Sequence, residues 1–462
     1  MTSDAVLHAF ARVAARRPSA PLVASAARRW SAGELDGHSA RLAARLLDAG
    51  FVPGNALGLA AAPGPAFLAG YLALRRIGAV PVLCDGVPPA PDTRAALERI
   101  GAVGWLGAAH GWPEDDGAWT LERRHPRAPL AADREWGAIK LTSGTTGEPR
   151  GIAVPAASLL ADEAQLAATM GLEAGDRLLA TVPLSHSYGF SSLALPVFVR
   201  GALLVVPESR APFAPLAAAE ALAASFFPTV PAWLGAYVRS ASPPPLPRSL
   251  RLVVAAGAPL LPEVAVEFRR RTGRAVHVFY GASEAGGIAF DRGGEAADRG
   301  TVGTAVEGVA LAIDAASGRL EVRSPAVAAR FLPTAAGELG GGRFLTGDLA
   351  RFEGGELRLL GRADDWVIVR GHNVNPREVE SALLELDGVA EAVVFGVAGD
   401  DGPRSVLRAV VAAPAGTLDA ARVAAHLRTR LAEHKVPRSV ILVVEIPRNA
   451  RGKPDREALA AL

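Results

Sequence analysis

The segment 56–84 reads ALGLA, then PAFLAGYLALRRIG, then AVPVLC. Two short apolar runs flank an Ala- and Leu-rich stretch of helical length, which predicts a strand, a helix and a second strand. Similar apolar runs recur at 177–183, 202–207 and 250–257. Because such runs alternate with helical stretches, we expect an α/β fold with parallel strands.

The composition is that of an ordinary globular protein. The 462 residues carry 49 Lys or Arg against 47 Asp or Glu, and half of them are apolar. This near balance of charge gives no reason to expect nucleic acid as a partner. The single cysteine, Cys84, excludes a disulfide framework, so we expect a buried thiol and a reducing, cytoplasmic location.

The uncharged run 51–74 is long enough to cross a bilayer. Pro53, Pro63 and Pro65 interrupt it together with four glycines, which favours a strand, a turn and a helix. We expect no membrane span. Charged residues near the N-terminus, such as Asp4, also argue against a secretion signal.

The pattern changes towards the C-terminus. Residues 340–370 alternate and turn like β-hairpins, and a helix, two strands, a helix and a strand follow over about 100 residues. This order predicts a compact α+β unit. We place the boundary near Gly361, so that 1–361 form a large domain and 362–462 a small one.

The segment 142–151, TSGTTGEPRG, follows the strand-like AIKL. Glycines let backbone N–H groups approach a polyphosphate closely, and the interleaved hydroxyls add donors. The segment lacks the Gly-Lys-Ser/Thr ending of a Walker A loop. An ordinary polar loop is the alternative, and one such stretch alone does not decide between them.

This segment resembles the phosphate-loop signature of the adenylate-forming superfamily, which comprises acyl- and aryl-CoA synthetases, nonribosomal peptide adenylation domains and luciferases. Further motifs resemble those of the family in order and spacing, and they are PLSHSYGF at 183–190, YGASEAGG at 280–287, TGDLARF at 346–352, GRADDWVIVRGHNVNPREVE at 361–380 and IPRNARGKPDR at 446–456. The resemblance implies a large N-terminal AMP-binding domain of layered mixed and parallel sheets with helices and a β-barrel-like part. A small, mobile α+β C-terminal domain would follow it.

The resemblance implies ATP and Mg²⁺ as cofactors. It assigns adenine stacking to Tyr280, an α-phosphate contact to Ser283, and the metal to Glu284 and Thr145. The full set of implied nucleotide- and cofactor-binding residues is Thr142, Ser143, Gly144, Thr145, Thr146, Gly147, Gly257, Tyr280, Gly281, Ser283, Asp348, Arg362 and Gly371. Taken singly, several have simpler interpretations, such as core packing for Tyr280 and a turn position for Asp348. The near match of GASEA to a serine-hydrolase elbow fails because Ala285 replaces the last glycine.

Three residues are implied in catalysis, namely Lys453, Glu284 and His186. Lys453 is one of only three lysines in the chain, with Lys140 and Lys435. A compact ammonium can stabilise the charge that develops when a carboxylate attacks the α-phosphorus. Lys435 has a structural interpretation.

The resemblance also implies a second half-reaction. Asp364 matches a hinge about which the small domain swings, and Gly371 matches the residue that admits a pantetheine arm.

The implied activity is ATP-dependent conversion of an aryl or medium-chain acyl acid to an acyl-AMP, with release of pyrophosphate and transfer to the thiol of coenzyme A. The alternative is a stand-alone ligase that loads the phosphopantetheine of an acyl carrier protein. A nucleotide-binding protein without catalysis is a third hypothesis, against which Glu284, Asp348 and Lys453 argue. We expect a monomer or a homodimer.

The acid pocket is predicted from Phe226, Phe227, Trp233 and 186–192, which would make it largely apolar. An amino-acid substrate is disfavoured because no acid lies at 188–191. The chain is also shorter than most members of the family, and the shortage falls before residue 140. It carries Arg150 where the family commonly has lysine. Arginine still binds phosphate.

Overall fold

The structure is a computed structural model that describes residues 4–109, 112, 118–126, 128–142, 150–209, 211–333, 339–369, 372–399, 402–448 and 454–462. It contains two compact units. The larger comprises Met1–Ala312, Glu321–Thr346 and Phe352–Arg358, and the smaller comprises Ile313–Leu320, Gly347–Arg351 and Leu359–Leu462. The domain boundary near Gly361 stays a prediction.

Within the described residues, the α-helices are α1 Ala5–Arg16, α2 Ala32–Asp48, α3 Pro65–Arg76, α4 Pro91–Arg99, α5 Ala156–Met170, α6 Ser187–Gly189, α7 Leu195–Arg200, α8 Ala214–Ala221, α9 Pro231–Arg239, α10 Pro262–Thr272, α11 Ala296–Arg299, α12 Pro376–Leu384, α13 Ala420–Arg428 and α14 Arg456–Ala461. A π-helical turn, Phe190–Ala194, joins α6 to α7. Single 3₁₀ turns lie at Ala363–Asp365 and Glu433–Lys435.

The strands of the same residues are β1 Pro21–Ala24, β2 Arg29–Ser31, β3 Ala56–Ala61, β4 Val80–Leu83, β5 Gly104–Ala108, β6 Thr120–Arg123, β7 Trp136–Thr142, β8 Arg150–Pro155, β9 Arg177–Leu179, β10 Leu203–Val205, β11 Phe226–Thr229, β12 Leu252–Ala255, β13 His277–Ala282, β14 Gly286–Phe290, β15 Thr304–Ala305, β16 Ala310–Ile313, β17 Arg319–Arg323, β18 Arg330–Leu332, β19 Leu339–Gly340, β20 Arg343–Glu353, β21 Glu356–Arg362, β22 Val367–Val369, β23 His372–Val374, β24 Glu391–Gly399, β25 Gly402–Ala412 and β26 Ser439–Val443.

Two large sheets contain strands β1 to β15 and β18. One has the strand order β15-β14-β13-β12-β11-β9-β10-β1-β2, and the other has the order β18-β8-β7-β4-β3-β5-β6. The interior strands of both run parallel, as β12 with β13 and β4 with β7 do. Antiparallel strands close the edges, as in the pairs β13–β14 and β7–β8. The predicted α/β layering with mixed and parallel sheets is therefore confirmed.

The segment 56–84 forms β3, α3 and β4, as its pattern predicted. Strands β3 and β4 pair in parallel, with Leu57 opposite Pro81 and Leu59 opposite Leu83. Helix α3 begins with Pro65 in its first turn, where the missing N–H costs nothing, and it is buried almost throughout. Cys84, which follows β4, is buried as expected.

The remaining strands form three smaller sheets. Strands β16, β17, β20 and β19 are neighbours in that order, and β21 pairs with β20. In the smaller unit β22 pairs with β23, and β24-β25-β26 form a sheet. Its core gathers Val379 and Leu383 of α12, Val423 and Leu427 of α13, and the inner face of that sheet. This is the predicted α+β arrangement.

None of the helices in the described ranges is long and apolar enough to cross a membrane.

Candidate active site

The phosphate-loop segment lies between two antiparallel strands of the seven-stranded sheet. Strand β7 ends at Thr142 and β8 begins at Arg150, and these two residues pair with each other in the ladder. The loop is therefore anchored at both ends. Five predicted nucleotide-binding residues lie outside the described residues, and they are Ser143, Gly144, Thr145, Thr146 and Gly147.

The YGASEAGG motif forms a tight hairpin at one end of the nine-stranded sheet. Tyr280 and Gly281 lie on β13 and pair with Ala289 and Gly287 of β14. Residues 283–287, which we call the glutamate turn, comprise the connection between the two strands and the first two residues of β14, and they include Ser283 and Glu284. Tyr280 and Glu284 are both half-buried, so the hairpin keeps a ring and a carboxylate within reach of a ligand.

The PLSHSYGF motif leads into α6 and the π-helical turn. We call residues 186–192 the histidine segment. A π turn inside a helix often marks a functional site. The segment contacts the glutamate turn directly, because the Ser187 hydroxyl donates to the Ser283 hydroxyl at 2.7 Å. The structure thus brings together two motifs that are almost a hundred residues apart in the sequence.

The imidazole of His186 contacts the carboxylate of Asp85. Its Nε2 lies 3.0 Å from the Asp85 carboxylate, and the two side chains are 34% and 31% exposed. The Ser185 hydroxyl donates to the other oxygen of the same carboxylate. The imidazole is therefore held in one orientation at a partly open surface.

Sequence reasoning missed Asp85. It comes two residues after β4, at the carboxyl end of a buried parallel strand, and β4 is the neighbour of β7. Ligands of α/β sheets bind outside the carboxyl ends of such strands. The position of Asp85 just after a buried parallel strand could therefore have indicated a place in the site.

Gly257 follows β12 and has a φ of +90°, a conformation that side chains of L-residues rarely adopt. A Cβ at this position would meet no atom within 4 Å. Glycine is therefore needed for the turn, and the space beside it is open. The histidine segment reaches the same strand, because the Tyr188 hydroxyl donates to the Val254 carbonyl at 2.9 Å. Burial raises the pKa of Tyr188 well above its ordinary value.

Lys140 of β7 is only 3% exposed. Burial lowers the pKa of its ammonium, and the carboxylates of Asp162 and Glu284 oppose that shift. This buried lysine, two residues before the end of β7, was not assigned a role from the sequence.

One aromatic residue predicted for the acid pocket, Phe227, belongs to a core with Leu234 and Tyr237. The half-buried Trp233 packs edge to face on Phe227, with ring centroids 4.9 Å apart. This core lies between the sheet and its helices. Phe226 is fully buried, and as the preceding residue of β11 it points to the opposite face.

The smaller unit holds the remaining predicted residues. Asp348 of β20 and Arg362 at the end of β21 form an ion pair of 4.0 Å, and their side chains are 19% and 35% exposed. The predicted hinge position, Asp364, lies in the 3₁₀ turn after β21. Lys453 and Gly371 lie outside the described residues.

The third lysine has a structural partner. The ammonium of Lys435 donates to the Glu378 carboxylate at 2.6 Å, which ties the second 3₁₀ turn to α12. This contact agrees with the structural interpretation of Lys435.

The family model of the AMP-binding enzymes matches residues 10–332, and that of the AMP-binding enzyme C-terminal domain matches residues 378–453. The chain belongs to the AMP-binding enzyme family. The motifs that resembled the adenylate-forming superfamily thus identified it correctly.

Several relatives of this AMP-binding enzyme are CoA ligases. A CoA ligase of Mycobacterium tuberculosis, named for a methyl-dioxo-octahydroindenyl propanoyl group, is 31% identical over 411 residues, which are 84% of this chain and 80% of that protein. Feruloyl-CoA synthase of an Amycolatopsis species is 28% identical over 451 residues, 91% of each chain. The family and these relatives confirm the predicted enzyme class, an acid–thiol ligase.

A solved structure shows the same fold. O-succinylbenzoate coenzyme A synthetase of Bacillus subtilis, in complex with AMP, superimposes with a TM-score of 0.83 at 21% identity. The match covers 98% of this chain and 97% of that chain. It confirms the predicted fold class, a large sheet-and-helix domain followed by a smaller C-terminal domain.

Proposed function

We propose that this AMP-binding enzyme activates an aryl or medium-chain carboxylic acid as its acyl-AMP and transfers the acyl group to coenzyme A. The observation that carries the proposal is the direct contact of the glutamate turn with the histidine segment through Ser187 and Ser283. The first segment carries the proposed nucleotide contacts and the second the proposed acid contacts. Their contact supports one site in which a carboxylate could meet an α-phosphorus.

The residues around Glu284 fit a metal that arrives with its nucleotide. Among the described residues, no group of three or more His, Cys, Asp or Glu side chains could hold a metal ion by itself. Mg²⁺ is usually bound through one or two carboxylates together with nucleotide phosphates. Glu284 supplies such a carboxylate, and Thr145 is the second proposed ligand. Mg²⁺ bound there would neutralise charge on the departing pyrophosphate.

The nucleotide contacts follow from the chemistry of each residue. We propose that the hydroxyls and backbone N–H groups of the 142–147 loop bind the phosphates and that Tyr280 stacks on adenine. Gly257 leaves room for a flat ring, Gly281 is a further proposed nucleotide contact, and Ser283 is proposed to donate to the α-phosphate. Asp348 and Arg362 are proposed for the ribose hydroxyls.

His186 is proposed to orient the acid. Its ring is fixed by Asp85, so the imidazole presents one face and one remaining nitrogen to a substrate. Holding a carboxylate in line with the α-phosphorus replaces a bimolecular encounter by a positioned one. The carboxylate oxygen bonds to the α-phosphorus while the bond to the pyrophosphate oxygen breaks.

Lys453 is proposed to stabilise the charge of that step, and Asp364 and Gly371 are proposed to serve the second one. In the second step the thiolate attacks the acyl carbonyl and AMP leaves. The names of the two curated CoA ligases support coenzyme A as the acceptor. The phosphopantetheine of a carrier protein presents the same thiol and is the alternative.

A panel of carboxylic acids tests the proposal. Pyrophosphate release is measured for each acid with ATP and Mg²⁺, in the presence of coenzyme A, of a phosphopantetheinylated carrier protein, and of neither. We expect release with aryl or medium-chain acids, and a thioester only with coenzyme A. A thioester formed only with the carrier protein would make the carrier, and not coenzyme A, the acceptor. If no acid leads to pyrophosphate release, the adenylation proposal is overturned.

A further inference from the structure

One buried carboxylate links the two segments of the site a second time. Asp162 lies on α5 and is 2% exposed. One of its oxygens accepts the Ser191 hydroxyl of the histidine segment at 2.6 Å. The other accepts the backbone N–H of Gly287, at the end of the glutamate turn, at 2.9 Å. Neither segment can shift relative to α5 without breaking one of these bonds.

The glutamate turn is shaped to admit this carboxylate. Gly286 has a φ of +71°, and a Cβ added there would overlap the Asp162 carboxylate. Only glycine allows the turn to approach α5 so closely. The turn contributes its backbone to this contact, and α5 contributes the buried Asp162 side chain.

A buried lysine, Lys140, lies within electrostatic range of Asp162. A buried carboxylate without a counter-charge is costly, because water no longer solvates it. The Lys140 ammonium is equally buried and interacts electrostatically with both Asp162 and Glu284. It stands on β7, the strand that leads into the phosphate loop.

The next residue of α5 provides a matched comparison. Glu163 is also 2% exposed, and its carboxylate is bound by Arg200 at 2.5 Å. Arg200 ends α7, beyond the histidine segment. Glu163 thus anchors the same helical stretch to α5, but within the described residues no hydrogen bond joins it to the glutamate turn.

We propose that Asp162 is a positioning residue that sets the distance between the glutamate turn and the histidine segment. The proposal rests on the proposed function, since those segments hold the nucleotide and the acid. Asp162 does not touch either substrate in this account. It acts on the rate of the bond-forming step, because a displacement of about 1 Å in a reacting pair can cost about 100-fold.

Kinetics of Asp162→Asn separate positioning from binding. We expect kcat for pyrophosphate release to fall about 10- to 100-fold, while the KM values for ATP and for the acid change less than about threefold, which is under 1 kcal/mol. Glu163→Gln should lower the melting temperature but leave kcat near that of the wild type. An equal fall of kcat in both variants, or a change confined to KM, would overturn the proposal.

Hydrogen exchange tests the same contact without activity. In Asp162→Asn the amides of 187–194 and of 283–290 should both exchange faster, whereas Glu163→Gln should affect the first segment only. If no acid leads to pyrophosphate release, the proposed function fails. Hydrogen exchange then still tests whether Asp162 links the two segments. Unchanged protection in either segment of Asp162→Asn would refute it.

Discussion

Replacing Arg75 by methionine tests how the opening α/β unit is held together. Arg75 lies on α3, where the sequence suggested only the end of a helix. Its side chain is 1% exposed and forms an ion pair with Asp4, which is 6% exposed. The same guanidinium donates to the carbonyls of Ala79 at 2.8 Å and Arg134 at 2.9 Å. Arg75 thus connects α3 to the N-terminus of α1, to the residue before β4 and to the segment just before β7.

The expected cost follows from what Arg75→Met leaves behind. Methionine fills much of the space of the arginine stem, but the Asp4 carboxylate becomes a buried charge without its partner. Breaking a buried pair in this way costs about 3–5 kcal/mol. Asp4 also caps α1 by accepting the Leu7 N–H at 2.8 Å, so helix α1 should loosen as well.

The neighbouring arginine is the control. Arg76 pairs with Asp36, and these side chains are 26% and 43% exposed. An exposed pair contributes no more than about 1 kcal/mol, so Arg76→Met should cost less than that. Urea unfolding followed by tryptophan fluorescence measures both variants, compared at constant m-value. Equal losses for the two arginines would refute the reasoning from burial.

Asp85→Asn should reduce kcat/KM for the acid by about tenfold, or 1.4 kcal/mol, because His186 loses its charged partner. The KM for ATP should stay constant. An equal change for both substrates in steady-state kinetics would count against the orienting role of His186. Lys453→Ala should abolish pyrophosphate release but leave thioester formation from supplied acyl-adenylate largely intact. Loss of both half-reactions in a coupled assay would contradict the role assigned to Lys453. Burial raises the pKa of Asp176, but bonds from Arg251, Ser225 and the Glu173 N–H outweigh it and lower the pKa overall. A lowered folded pKa gives stability that is present above the unfolded value of about 3.9 and is lost as the pH falls through the folded value. Asp176→Asn should therefore flatten the dependence of unfolding free energy on pH below about 4, and an unchanged slope in acid titrations would argue against this contribution.

Local patterns predicted the fold well. The strand–helix–strand of 56–84 follows from short apolar runs around a helical stretch, and its parallel register is the one that such units adopt. The phosphate-loop motif predicted a strand before it, and β7 ends at Thr142. In each case the signal lies within a few residues of the element that it specifies.

Contacts between distant segments could not be predicted in this way. Asp85 and Ser185 are 100 residues apart, and nothing in either local sequence shows that they meet. Asp162 lies in an ordinary-looking helix, and its burial depends on the turn at Gly286. The partners of buried charges are set by the tertiary fold, which motif spacing does not encode.

The predicted aromatic pocket includes a residue that belongs to the core. Phe226 and Phe227 are adjacent in the sequence, but alternation along β11 sends their rings to opposite faces of the sheet. Phe227 therefore joins the core, and the half-buried Trp233 packs against it. Apolar composition indicated burial correctly but did not distinguish a core from a pocket.

The fate of one oxygen atom tests the central claim most directly. An acid from the active panel is labelled with oxygen-18 in its carboxylate, and AMP is analysed by mass spectrometry after a complete turnover with coenzyme A. If the carboxylate oxygen attacks the α-phosphorus, the AMP must carry one labelled oxygen from the acid. Unlabelled AMP, or label found in phosphate with ADP as the product, would contradict adenylation as the chemistry of this site.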